Sequence, residues 1–86
     1  MYYVYVLKSI KYSTLYIGCT NNLRRRFEEH NSKDSKFTSQ RGLWKLVYYE
    51  AYKSKIDAMQ REKMLKSYGS SWHHLKSRIK ISITEA

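Results

Sequence analysis

Tyr2-Tyr3-Val4-Tyr5-Val6-Leu7-Lys8-Ser9 and Leu15-Tyr16-Ile17-Gly18-Cys19-Thr20 are the two stretches whose reading decides the fold. Both are rich in Tyr, Val, Ile and Leu, whose branched or aromatic side chains pack well on a pleated surface. Lys11-Tyr12-Ser13-Thr14 between them reads as a turn, and so short a connection implies an antiparallel hairpin. In the first strand Tyr3, Tyr5 and Leu7 point one way and Tyr2, Val4 and Val6 the other. Both faces are apolar or aromatic, the pattern of a central strand covered on both sides.

Working outward, Thr20-Asn21-Asn22 offers helix N-cap residues. Leu23, Arg26, Phe27 and His30 then fall at i, i+3, i+4 and i+7, one face of a helix. Residues 31–43 are polar and basic and read as a long loop. Trp44 through Ala51 reads as a third strand, apolar or aromatic on both faces. Ser54 and Asp57 open a second helix running to about Tyr68, with Ala58, Met59, Glu62 and Leu65 assigned to its apolar face. Gly69-Ser70-Ser71 ends that helix and can cap a third, in which Trp72, Leu75 and Ile79 share a side. The expected fold is α+β, one domain over residues 1–86, with the order β-β-α-β-α-α and helices flanking a three-stranded antiparallel sheet.

The chain has 86 residues, with 17 Lys plus Arg against 7 Asp plus Glu, for a formal net charge of +10. Hydrophobic residues make up 42% and aromatics 15%, too apolar for a disordered basic tail and too basic for an ordinary enzyme of neutral metabolites. A compact domain facing a polyanion satisfies both, and nucleic acid is the leading partner. One cysteine, Cys19, excludes an intramolecular disulfide and a cysteine-based zinc site; it reads as a small strand hydrophobe. No charge-free run is long enough to span a bilayer, and the N-terminus lacks the basic-then-apolar order of a signal peptide, so a cytoplasmic, membrane-free protein is expected.

Two charges break the apolar pattern, Arg26 beside Leu23 and Phe27, and Glu62 beside Ala58 and Leu65. A buried charge costs several kcal/mol, roughly, unless it is paired, coordinated or at a cleft rim. A structural ion pair between the helices, or side chains that snorkel outward, explains them as well as a functional site does. Tyr5 and Tyr16 lie on neighbouring strands and can stand close together. Tyr2, Tyr3, Tyr48 and Tyr49 read as cross-strand packing, although tyrosines can also stack on bases in a binding groove. His30, one turn beyond Arg26, is a candidate proton shuttle or phosphate contact, whereas the adjacent His73 and His74 fall on different helix faces and cannot chelate one metal. Arg24, Arg25, Lys33, Lys36 and Arg41 cluster around these positions and are candidate phosphate contacts.

Taken in order, these segments resemble the GIY-YIG nuclease domain, especially its small stand-alone bacterial members, over nearly the whole chain. The second signature tripeptide is intact as Tyr16-Ile17-Gly18; Tyr3-Val4-Tyr5 replaces Gly-Ile-Tyr and keeps the tyrosine. Asn22 through Asn31 looks like the family's arginine-bearing helix, and Ala58 through Lys66 like its metal-binding helix. The resemblance implies cleavage of a phosphodiester in DNA by water, with one Mg²⁺ or Mn²⁺. It casts Tyr5 or Tyr16 as general base, Arg26 as stabiliser of charge at phosphorus and Glu62 as metal ligand. It gives His30 a part in proton transfer or phosphate binding. The chain departs from the family in lacking the first glycine and a late asparagine after Glu62. With no targeting domain, low sequence preference is expected, on branched, damaged or single-stranded DNA. The alternatives are a nucleic-acid-binding module that keeps the fold without turnover, and a basic RNA-associated protein needing no metal.

Overall fold

A computed structural model describes residues 1–32 and 43–85. Its elements run β1 (Tyr2–Ser9), β2 (Leu15–Thr20), α1 (Leu23–His30), β3 (Trp44–Tyr52), α2 (Lys55–Ser67), α3 (Gly69–Arg78) and α4 (Lys80–Thr84). The three strands form one antiparallel sheet in the order β2-β1-β3. The expected order is thus observed, with one addition. At Ile79 the backbone leaves helical geometry and α4 starts at the next residue. Ile79 itself is buried, so the break turns the chain back onto the core.

β1 is central as its pattern requires. Its alternation divides the apolar residues into two cores, one on each face of the sheet. Val4 and Val6 meet Ala58 and Leu65 of α2, Leu75 of α3 and Ile79, and Cys19 packs against this cluster. On the other face Tyr5, Leu7 and Trp44 are covered by Leu23 and Phe27 of α1, with Tyr16 alongside. Complete burial of such a side chain contributes about 1.5–3 kcal/mol.

An eight-residue helix such as α1 is marginal in isolation and needs both ends tied. The Asn22 side chain caps its start, accepting from Arg25 N at 3.1 Å. At its end the Asn31 amide clasps β3, donating to Trp44 O at 3.1 Å and accepting from Trp44 N at 2.7 Å. The helix is thereby pinned over β1, and its positions 26 and 30 are set against Tyr5. The start of α2 follows the expected Ser54 cap.

One expectation about exposure is corrected. Met59 is 52% exposed rather than part of the apolar face of α2, because it lies about 100° around the helix from Ala58. β3 is an edge strand, and its Tyr49, although 52% exposed, makes the expected cross-strand contact with Tyr3.

Candidate functional site

Cross-strand register brings the tyrosines together. Tyr5 pairs with Gly18 and Leu7 with Tyr16, so all four share the face under α1. The ring of Tyr5 lies directly over Gly18. A Cβ there would fall inside the van der Waals envelope of the Tyr5 hydroxyl and Cζ. The glycine is therefore required by the close approach of the phenol.

Tyr5 Oη lies 2.9 Å from His30 Nε2 and accepts from Arg26 Nε at 3.4 Å. A guanidinium can only donate, so the hydroxyl proton of Tyr5 is left for His30 Nε2. That requires a neutral imidazole. Burial, followed by the charge of Arg26, holds the His30 pKa below the ordinary histidine value. Burial pushes Tyr5 up to about 12, against the opposing hydrogen bond from Arg26, so its phenol keeps its proton at neutral pH. Tyr16 completes the cluster, with its ring 4.6 Å from that of His30 and 6.3 Å from that of Tyr5. Arg26 is held by both tyrosine hydroxyls, which raises its pKa further.

The cluster has depth. Tyr5 is 1% and His30 3% exposed, whereas Tyr16 and Arg26 are only partly buried. His30 Nδ1 is buried without a hydrogen-bond partner among the described residues.

Arg26 also lines a cleft of about 600 Å³ at the β2 edge of the sheet, with Thr20, Asn21, Arg25, Glu29, Lys55 and Glu62. Arg26 and Glu62 approach this cleft from helices on opposite faces of the sheet. They do not pair with each other. Arg26 Nη1 is 3.6 Å from Glu29, and Glu62 is 3.2 Å from Lys66 Nζ, so the interhelical ion pair is excluded. The charge of Glu62 is nevertheless felt at Tyr5. Arg24 lines a separate, smaller cleft, while Lys33, Lys36 and Arg41 lie outside the described residues. The second cleft carboxylate, Glu29, was not singled out in the sequence; its spacing of three from Arg26 was the available signal.

A second polar cluster, also unforeseen, sits on the opposite face. Arg61 grips Glu50 bidentately, Nε to Oε1 at 3.0 Å and Nη2 to Oε2 at 3.0 Å. Tyr48 donates to Glu50 Oε2 at 2.6 Å and Tyr52 to Oε1. Burial opposes ionisation of Glu50, but these four donors outweigh it and hold the carboxyl below its ordinary range. Burial and the bond to Glu50 push both tyrosines up to about 12.

A signature-tyrosine pair over a glycine, an arginine helix on one side of the sheet and a carboxylate helix on the other define the GIY-YIG class of α+β domain. The model of the GIY-YIG catalytic domain matches residues 1–76, and the chain belongs to that family. Its relatives include a UPF0213 protein of Clostridium perfringens, 46% identical over 67 residues, covering 77% of this chain and 71% of that one. Another, from Natronomonas pharaonis, is 46% identical over 67 residues, covering 77% and 78%. The solution NMR structure of a UPF0213 protein of Bacillus halodurans is similar with a TM-score of 0.57 and 32% identity, covering 98% of this chain and 94% of that one. The family is a nuclease superfamily, and nucleic acid is its substrate class. Among the described residues no helix is long and apolar enough to cross a membrane.

Proposed function

We propose that this chain hydrolyses phosphodiester bonds in DNA with a divalent cation, Mg²⁺ or Mn²⁺, bound at Glu62. The observation that carries the reading is the setting of Arg26, which is hydrogen-bonded to Tyr5 and lines the same cleft as Glu62. A cation and a carboxylate on one cleft wall, unpaired with each other, suit a phosphate and its counter-ion.

The donor set is sparse. Among the described residues no three acidic, histidine or cysteine groups converge. That fits Mg²⁺, which keeps several waters and takes one or two carboxylates plus phosphate oxygens, with Glu29 available in the cleft beside Glu62. When bound, the ion would neutralise charge on the leaving oxygen. Arg26 would stabilise charge at phosphorus, an effect worth about 10²–10³ in rate for one donor elsewhere. Tyr16, at the solvent side of the cluster, would act as the general base, taking the proton of the attacking water as a phenolate beside the Arg26 guanidinium. Tyr5 and His30 act from behind it, Tyr5 as a neutral phenol that fixes Arg26 and His30 as the acceptor that fixes Tyr5. Arg24 and Arg25 would contact flanking phosphates, in company with Lys33, Lys36 and Arg41.

One observation favours a binding module without turnover, namely that Lys66 already occupies Glu62. Nicking of supercoiled plasmid over a Mg²⁺ titration, with EDTA as control, separates the two. Metal-dependent nicking lost in Arg26→Ala supports the nuclease. Salt-sensitive DNA binding with no nicking supports the binding module.

A further inference from the structure

Among the described residues, the face of the sheet that carries the tyrosine cluster is only half covered. α1 has eight residues and spans about 12 Å, against nine residues of β3, about 30 Å. It buries Tyr5 and leaves its register partner Tyr49 exposed. Tyr49 and Tyr3 meet edge to face at 5.9 Å and 66°. The neighbouring Ala51, opposite Tyr3 in the register, is exposed and small, so among the described residues nothing tall shields the pair. A cleft of about 300 Å³ runs from these rings to the start of α1, lined by Tyr3, Asn21, Asn22, Leu23, Arg24 and Tyr49. No carboxylate lines it among the described residues, and it shares Asn21 with the Arg26–Glu62 cleft, so the two adjoin. Among the described residues Arg24 has no ion-pair partner.

We propose that this shelf is a nucleobase subsite, in which an unpaired base of a DNA strand stacks on the face of Tyr49, with Tyr3 set edge to face beside that ring, while its phosphates run past Arg24 and Arg25 toward the Arg26–Glu62 cleft. The proposal rests on the nucleic-acid reading above. Its chemistry is specific to a base. A flat π-face matches an exposed aromatic, the adjoining cations match the phosphates on either side of it, and the Asn21 amide can meet a base edge. A base within an intact duplex presents no face to such a shelf, so the subsite selects an unpaired or displaced nucleotide.

The test is fluorescence anisotropy in EDTA, which measures binding without turnover. The probes are a fluorescein-labelled oligothymidylate about eight nucleotides long and an abasic oligomer of equal length and charge. Base stacking on an aromatic is worth about 5- to 150-fold in affinity, and the wild type is expected to favour the oligothymidylate by a factor in that range. Tyr49→Ala should erase the preference and leave abasic binding unchanged; Tyr49→Phe should keep it within about twofold, since the ring is retained. Tyr49 is exposed, so both variants should fold, and circular dichroism checks that they do. Equal affinity of the wild type for the two probes overturns the proposal, as does a preference surviving in Tyr49→Ala or no binding of either probe. Base-dependent binding without metal-dependent cleavage breaks the nuclease reading alone. Base-independent binding with cleavage intact breaks the subsite alone.

Discussion

Arg61 and Glu62 are adjacent on α2 and do opposite things. At about 100° per residue they fall on either side of the Ala58–Leu65 stripe that seats the helix on the sheet. Arg61 turns to the β3 edge and meets a carboxylate already bonded to two tyrosines. That cluster is closed, because every charge and hydroxyl in it has a partner. Glu62 turns to the β2 edge, where cations line a wide cleft and its own bond is to the exposed end of a lysine. The same pair of residue types is structural on one flank and open to a ligand on the other. Charges on both flanks have partners; those of Glu62 and Arg26 are partly exposed side chains beside a cleft, whereas Arg61 and Glu50 close on each other.

The comparison is broken most strongly on the open flank. Removing the Arg26 guanidinium by Arg26→Ala should slow single-turnover cleavage about 10²–10³-fold. Its melting temperature should stay within about 4 °C of wild type, because the side chain is substantially exposed. On the closed flank, Arg61→Met should do the reverse. It leaves Glu50 partly buried without its cation, at a cost of about 2–3 kcal/mol, less than a fully enclosed pair because both partners keep some solvent. Thermal unfolding should register this as a fall of roughly 8–24 °C.

Gly18→Ala probes the join between fold and site. The added methyl collides with the Tyr5 ring, a stiff neighbour in a packed core, and overpacking of this kind costs about 1–3 kcal/mol. Displacing Tyr5 should also release Arg26, so cleavage should fall further than stability does. A variant with wild-type cleavage and a lowered melting temperature would show that Tyr5 does not hold Arg26 in the working geometry.

The smallest expected effect is a pH dependence. The folded-state pKa of His30 is depressed, so below about 6.5 the unfolded chain takes up this proton before the folded one. Stability from this source is present above that value and is lost as the pH falls toward the folded-state pKa. Protonated His30 also cannot accept from Tyr5. Melting temperature should therefore decline between pH 7 and 5, and the decline should be shallower in His30→Gln. An identical slope in both proteins would remove His30 from the account.

Much of this was legible in the sequence, and for a physical reason. The hairpin, the Asn22 and Ser54 caps, and the positions of Arg26 and His30 are local patterns, set by strand alternation and helical spacing. What was missed depends on register between distant segments. Glu50 and Arg61 meet only because β3 pairs with β1 so as to turn Glu50 toward α2, and no spacing in the chain announces that. Tyr49 looks like Tyr5 in composition, yet it is exposed because α1 ends short of it. Met59 lies next to the apolar arc in the sequence pattern, but the buried stripe is the narrower one through Ala58 and Leu65.

On the proposed reading Glu62 acts in cleavage and Arg61 holds the fold. Plasmid nicking and thermal unfolding measured side by side for Glu62→Gln and Arg61→Met test it most directly. Glu62→Gln is expected to abolish Mg²⁺-dependent nicking with a melting temperature within about 4 °C of wild type, while Arg61→Met is expected to melt far lower yet to nick in Mg²⁺ at temperatures where it is folded. Nicking that survives in Glu62→Gln would contradict it.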